Sequence, residues 1–416
     1  MSFELNNEHR EYLGLPIIPE HWERVDLKGD SYRPKSVLYY DGNVIKRHIQ
    51  STETSYIETQ YNEETENRQL LLPKTNKGKP KKLSPSTLES RTPIGVYFKY
   101  TNNGIYIGNH TTQRDYYSTY FEAIKFKSIA ELPKWLEKYI SETSKEDLEE
   151  IEDFASRKRE RVKLKEGDYF VFKVDRRNYG FGRLVCDLRK LRKDPGFKLQ
   201  KNYGIMNLMT QPLVIKVYHL IQGTREVDLD YLKRLDWIPS QYIMDNALFY
   251  GDFEIIGNQP LEDWEFDFPI SYSKSNRYDD PYTVYLQYGM IYKETSIKKF
   301  NKHLNANNSN KDTKPWQRVK HSNIHRMEGI SGSLNFDKSV LESCIAEHSN
   351  QPYWDSKYFD RDTDLRNPKN GNVKKEIFEF FKLDSEKNYY YNYISMANNK
   401  KSSFLKPKSF IKKLFQ

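Results

Sequence analysis

Short apolar runs separated by turn-forming clusters recur along this chain, and most of them are of strand length. Val37-Leu-Tyr-Tyr-Asp-Gly-Asn-Val-Ile45 sets two apolar segments around Asp-Gly, which predicts a tight hairpin. Ile94-Gly-Val-Tyr-Phe-Lys-Tyr100, Asn102-Asn-Gly and Ile105-Tyr-Ile107 repeat the same grammar. Pro212-Leu-Val-Ile-Lys-Val-Tyr-His-Leu-Ile221 is a continuous apolar run, as expected of a central strand, with His219 read as a core or cross-strand residue. Trp237-Ile-Pro, Phe253-Glu-Ile-Ile256 and Tyr282-Thr-Val-Tyr-Leu-Gln-Tyr288 add further strands between turn signals, a spacing that predicts a barrel or sandwich.

Helical periodicity is concentrated in two places. Leu132, Trp135, Leu136, Tyr139 and Ile140 share one helix face, and Ser144 stands three residues before Asp147 as in a capping box. Acids crowd the start of that second helix and bases its end, which complements the helix dipole. Near the other end of the chain, Asp337 is placed to cap a helix with Val340, Leu341, Cys344 and Ile345 inward. Val373 to Lys382 reads as a last amphipathic helix.

The most informative stretch runs from Lys165 to Arg183. Tyr169 to Val174 is aromatic and β-branched, Asp175 to Asn178 is a polar gap of hairpin-loop length, and Tyr179 to Val185 resumes the apolar pattern. Gly180 and Gly182 flank Phe181, and glycines inside a strand mark a bend or a close approach. Gly167-Asp168-Tyr-Phe followed by Tyr179-Gly180-Phe181-Gly182-Arg183 resembles the opening hairpin of the immunity protein 26 family of bacterial polymorphic toxin systems. The resemblance runs from about Val162 to about Tyr292, with an outer limit at Leu383, and the N-terminal half is not recognised. It implies an all-β domain that binds and neutralises a cognate toxin and performs no catalysis.

Composition adds weight to β structure and binding. Tyr (32) and Phe (22) far outnumber Met (7), and tyrosine suits both pleated surfaces and interfaces. With 37% hydrophobic and 30% charged residues the chain is polar yet able to fold, and its length calls for two or three domains. Cys186 and Cys344 alone give no disulfide framework. No apolar run approaches a membrane span and the first residues carry no leader pattern, so a soluble cytoplasmic protein without membrane association is expected.

These readings define the expected fold: α+β, predominantly antiparallel β. A strand-rich N-terminal domain of no assigned role (1–130) is joined by a helical connector (131–157) to a curled, barrel-like immunity domain (158–383), followed by a basic tail (384–416). The net charge is +9, and Asn388 to Gln416 holds six lysines and no acid.

Four groups of residues are candidates for function. Glu262, Asp263, Glu265 and Asp267 interleave with Trp264 and Phe266, an acidic, aromatic segment that offers a toxin-binding surface or, alternatively, a charge-protected edge strand. Lys74, Lys77, Lys79, Lys81 and Lys82 fall within nine residues and can contact phosphate or an acidic partner, the basis of an alternative nucleic-acid-binding reading. Glu53, Glu58, Glu63, Glu64 and Glu66 are the carboxylates a hydrolase would draw on, with His110 and Asp115 weighed alongside as polar turn residues. His321 and His325 share a face if helical, without a third metal ligand. The chain has no P-loop, nucleophile elbow or His-Glu-x-x-His motif, so no catalytic residue, metal or cofactor is assigned, and the expected partner is a toxin protein.

Overall fold

A computed structural model of the chain describes residues 3–72, 74–118, 127–193, 204–208, 210–275, 280, 282–304, 325–329, 354 and 363–399. Contacts divide the chain into two compact units, Met1–Val162 with Phe249–Asp252, and Lys163–Leu248 with Phe253–Gln416. Both are α+β, and every strand pairing among the described residues is antiparallel.

The first unit is built on a sheet of nine strands: β1 (Glu23–Leu27), β2 (Ser36–Asp41), β3 (Val44–Ser51), β4 (Tyr56–Glu66), β5 (Gln69–Leu70), β6 (Lys81–Lys82), β7 (Ile94–Thr101), β8 (Gly104–Asn109) and β9 (Arg114–Ser118). Their order is β1-β2-β3-β4-β7-β8-β9, with the short β5–β6 hairpin attached to β4. Alternation along β7 turns Val96, Phe98 and Tyr100 inward. Helices Leu132–Ser141 and Lys145–Ser156 cover that face with Leu132, Trp135, Leu136, Tyr139, Ile151 and Phe154. Trp135 stacks on Phe98 at 6.0 Å and on Tyr139 at 4.8 Å. The expected capping box is present, Ser144 N donating to Asp147 Oδ2 at 2.9 Å. The helical segment read as a connector therefore spends its apolar face inside this unit's core.

The second unit holds two sheets. One comprises β10 (Asp168–Lys173), β11 (Tyr179–Asp187), β12 (Pro212–Gln222), β13 (Trp237–Met244) and β14 (Glu254–Asn258), in the order β13-β12-β11-β10-β14. The other is a meander of β15 (Ile270–Lys274), β16 (Thr283–Tyr288) and β17 (Ile291–Ser296). Neither closes among the described residues: β13 and β14 are edges, so the sheet is open where a barrel-like form was expected.

Helices Gly371–Phe380 and Tyr389–Asn399 pack on the three-stranded meander, Tyr288 meeting Phe378 at 5.8 Å and Tyr389 at 5.2 Å. The segment read as a tail thus begins as an ordered helix, because Tyr389 and Tyr393 are buried in this core. Its six lysines lie beyond residue 399, outside the described residues. His325 forms a bridge with Tyr272 and not a helix face, while His321, Gly329-Ile-Ser-Gly-Ser-Leu-Asn-Phe336 beyond Gly329 and the helix expected after Asp337 lie outside the described residues.

Candidate partner-binding loop over a buried ion network

The site grows out of the β10–β11 hairpin. Asp175 Oδ1 accepts from the amides of Arg177 and Asn178 at 2.8 Å each, an Asx turn that closes the loop and pairs Lys173 with Tyr179. On one face, Phe172 lies opposite Gly180 and Phe170 opposite Gly182. Each phenyl ring extends across the glycine facing it: a Cβ at Gly180 would stand 2.5 Å from Phe172 Cζ, and one at Gly182 would fall on Phe170 and 2.7 Å from the Lys216 carbonyl. Phe253 stacks on Phe170 at 5.5 Å and meets Phe172 at a tilt at 5.3 Å, completing that layer. Gly167 turns with φ of +86°, which brings its backbone against that of Gln259. Asp168 Oδ2 accepts from Lys165 N at 2.7 Å and Oδ1 from Asn258 Nδ2 at 2.8 Å. Burial nevertheless raises the Asp168 carboxyl above its usual range.

The opposite face carries the polar core. Arg183 of β11 and Lys216 of β12 are register partners, and both are fully buried. Two adjacent cations inside apolar strands require a counter-charge. Glu265, also fully buried, supplies it: its Oε1 meets Arg183 Nη1 and lies 3.1 Å from Lys216 Nζ. Aromatic rings complete the cation environment, Tyr169 lying 4.3 Å from the Arg183 guanidinium and Trp237 4.0 Å from Lys216 Nζ. Burial pulls the Lys216 ammonium down to about 8, and the Glu265 carboxylate opposes that fall.

These charges hold the loop that follows β14. Arg183 Nη2 donates to the carbonyls of Gln259 (2.7 Å) and Pro260 (3.0 Å), and Glu265 Oε2 accepts from Glu262 N at 2.9 Å. Asp263–Glu265 is a single 3₁₀ turn. A turn of that pitch separates side chains that an extended strand would have kept on one face. Glu262, Asp263 and Trp264 face outward and Glu265 faces inward.

Of the residues assigned to a toxin-facing surface, then, three are brought together and two are not. Glu265 is not an exposed acid, because Arg183 and Lys216 neutralise it in the core. Asp267 is half-buried, accepting from Ser240 N at 2.7 Å and pairing with Arg366 at 3.1 Å. Trp264 keeps 45% of its surface exposed while packing its ring 5.6 Å from Trp237. Of the hairpin residues, Phe181 is core and half-buried Tyr179 lies 5.1 Å from the Arg225 guanidinium. The Arg183–Glu265–Lys216 network was not read from the sequence, although two cations within apolar strands were a usable signal.

The other candidates belong to the first unit. Lys74, Lys77, Lys79 and Lys82 are exposed and Lys81 is half-buried around the β5–β6 hairpin, with no ion pair of theirs among the described residues. The N-terminal carboxylates do not converge. Glu58 is buried, 2.8 Å from Arg10 Nε and 3.4 Å from Arg47 Nε, and accepts from Tyr56 OH at 2.6 Å. Glu63 pairs with Arg91 at 2.9 Å, while Glu53, Glu64 and Glu66 are exposed. His110 stacks on Tyr97 at 4.2 Å, and the Tyr97 hydroxyl donates to Asp115 at 3.4 Å. Among the described residues no three His, Cys, Asp or Glu side chains are grouped to hold a metal ion. No described helix is long and apolar enough to cross a membrane.

No curated protein and no solved structure matches the chain, and the N-terminal half matches no family. Residues 165–277, which carry the β10–β11 hairpin, the central strand β12 and the buried Glu265 network, match the family model of Immunity protein 26.

Proposed function

We propose that this protein neutralises a cognate toxin of a polymorphic toxin system by direct protein–protein binding, with the loop bearing Glu262, Asp263 and Trp264 as part of its contact surface. The family match over residues 165–277 carries the reading. The geometry agrees with it physically: an indole exposed on a loop fixed from beneath loses little conformational freedom on binding, the property of an interface anchor. Inhibition by occlusion asks nothing of the protein but affinity, and Glu265 is committed to Arg183 and Lys216.

The test is co-expression of the full chain with the product of the adjacent gene. A toxic neighbour whose toxicity is relieved, and which co-purifies with this protein, is the expected result. A neighbour that neither binds nor harms the host removes the immunity reading.

A further inference from the structure

The chain as a whole is +9, yet residues 226–267 hold eleven acids against two bases, Lys233 and Arg234, a formal −9 in an otherwise basic protein. Two elements of this stretch join at the surface. Helix Leu229–Lys233 meets the Trp264 loop through Gln259 Nε2 donating to Asp230 Oδ1 at 2.9 Å and through Lys233 pairing with Glu262 at 3.0 Å. Tyr231 on that helix is 43% exposed and Trp264 on the loop is 45% exposed. Large apolar rings in an acidic surround are the makings of an interaction surface for a basic partner.

Within this surface one acid differs from its neighbour. Glu262 is already matched by Lys233, whereas Asp263 has no cation within ion-pair distance among the described residues. Slight desolvation and the adjacent Glu262 charge push the Asp263 carboxyl up, so an arriving cation would be favoured there. Beside it, Trp264 already serves as a cation-binding ring: Lys216 Nζ lies 5.4 Å from its centroid in the core, while the exposed part of the indole is open to solvent.

We propose that Trp264 and Asp263 form a receptor for an arginine side chain on a basic face of the partner protein, the indole stacking on the guanidinium and the carboxylate accepting its N–H groups. This rests on the binding reading above. Arginine fits better than lysine because its planar group stacks on an aromatic face while donating two parallel hydrogen bonds to a carboxylate.

The experiment is a calorimetric titration of the full chain with hexa-arginine and hexa-lysine peptides, with the toxin assay run on the same variants. Hexa-arginine is expected to bind saturably and several-fold more tightly than hexa-lysine. Asp263→Asn and Trp264→Ala should each weaken it about tenfold, the step that corresponds to about 1.4 kcal/mol. Glu226→Gln, an exposed acid that is not one of the two receptor residues, should change it less than about twofold, as expected for a solvent-screened charge. Absence of binding, or binding by either receptor variant as tight as that of the wild type, overturns the proposal. So does a toxin neutralised equally well by the double variant, an outcome that leaves the immunity reading in place. Failure of the adjacent gene product to bind removes the immunity reading but not a receptor shown by the peptides.

Discussion

Arg183 and Glu265 meet as an ion pair 82 residues apart in sequence, with both side chains wholly removed from solvent. Lys216 joins them, so one carboxylate serves two buried cations. Removing the carboxylate strands both cations, whereas removing Lys216 leaves a one-to-one pair. We expect Glu265→Gln to cost roughly 3–5 kcal/mol in urea unfolding and Lys216→Met to lie within about 1 kcal/mol of wild type. Equal losses from the two substitutions would show that Lys216 is as necessary as the pair.

The same lysine gives a pH signature. Its ammonium titrates near 8 in the folded chain against 10.5 ordinarily. Between those values the unfolded chain binds more protons at this site, so folding stability rises with pH there, by at most about 1.4 kcal/mol per unit. Buried tyrosines such as Tyr218, whose hydroxyls are pushed up by burial, reverse the trend above their normal range near 10. The difference between wild type and Lys216→Met from pH 7.5 to 10 isolates the lysine. Parallel curves would mean that Lys216 titrates as an exposed amine.

The glycine ladder predicts a steric failure with a specific rescue. Gly182→Ala puts a methyl group into the Phe170 ring and against the Lys216 carbonyl. Overpacking of this kind costs about 1–3 kcal/mol, and Gly182→Val should exceed it. Adding Phe170→Leu to Gly182→Ala should recover part of the loss, since the two side chains compete for one space. Thermal unfolding of the two single variants and the double variant measures the coupling, and strict additivity would contradict the contact.

Trp264→Ala should leave the melting temperature within a few degrees of wild type, because nearly half of the indole is exposed and the ion network beneath it does not depend on its ring. In the complex it should raise Kd for the toxin by about tenfold to a hundredfold, the range for loss of an aromatic anchor. A variant that binds the toxin normally would move the contact surface away from this loop.

Much of the β structure was legible because local chemistry decided it. Asp175 and Asn178 closed the hairpin as their turn preferences require, and Asp41-Gly42 did so between β2 and β3, where Gly42 takes φ of +59°. Open sheet edges were not legible, since strand spacing alone does not say whether the first and last strands pair. The burial of Glu265 and the half-burial of Asp267 were not legible for a different reason: a run of acids around Trp264 has the composition of a surface. What turns Glu265 inward is a demand set by Arg183 and Lys216, tens of residues away. A cation in an apolar strand is a visible request for a partner, but its sequence position does not name which carboxylate answers.

Beneath the Trp264 loop, Arg183 and Glu265 hold main-chain atoms: two carbonyls gripped by Arg183 and one amide gripped by Glu265. Outward-facing side chains at 262–264 can therefore be exchanged without releasing the loop that presents them. A lineage facing a changing adversary could rewrite its recognition chemistry there, one substitution at a time, while the folding of the sheet beneath stays untouched.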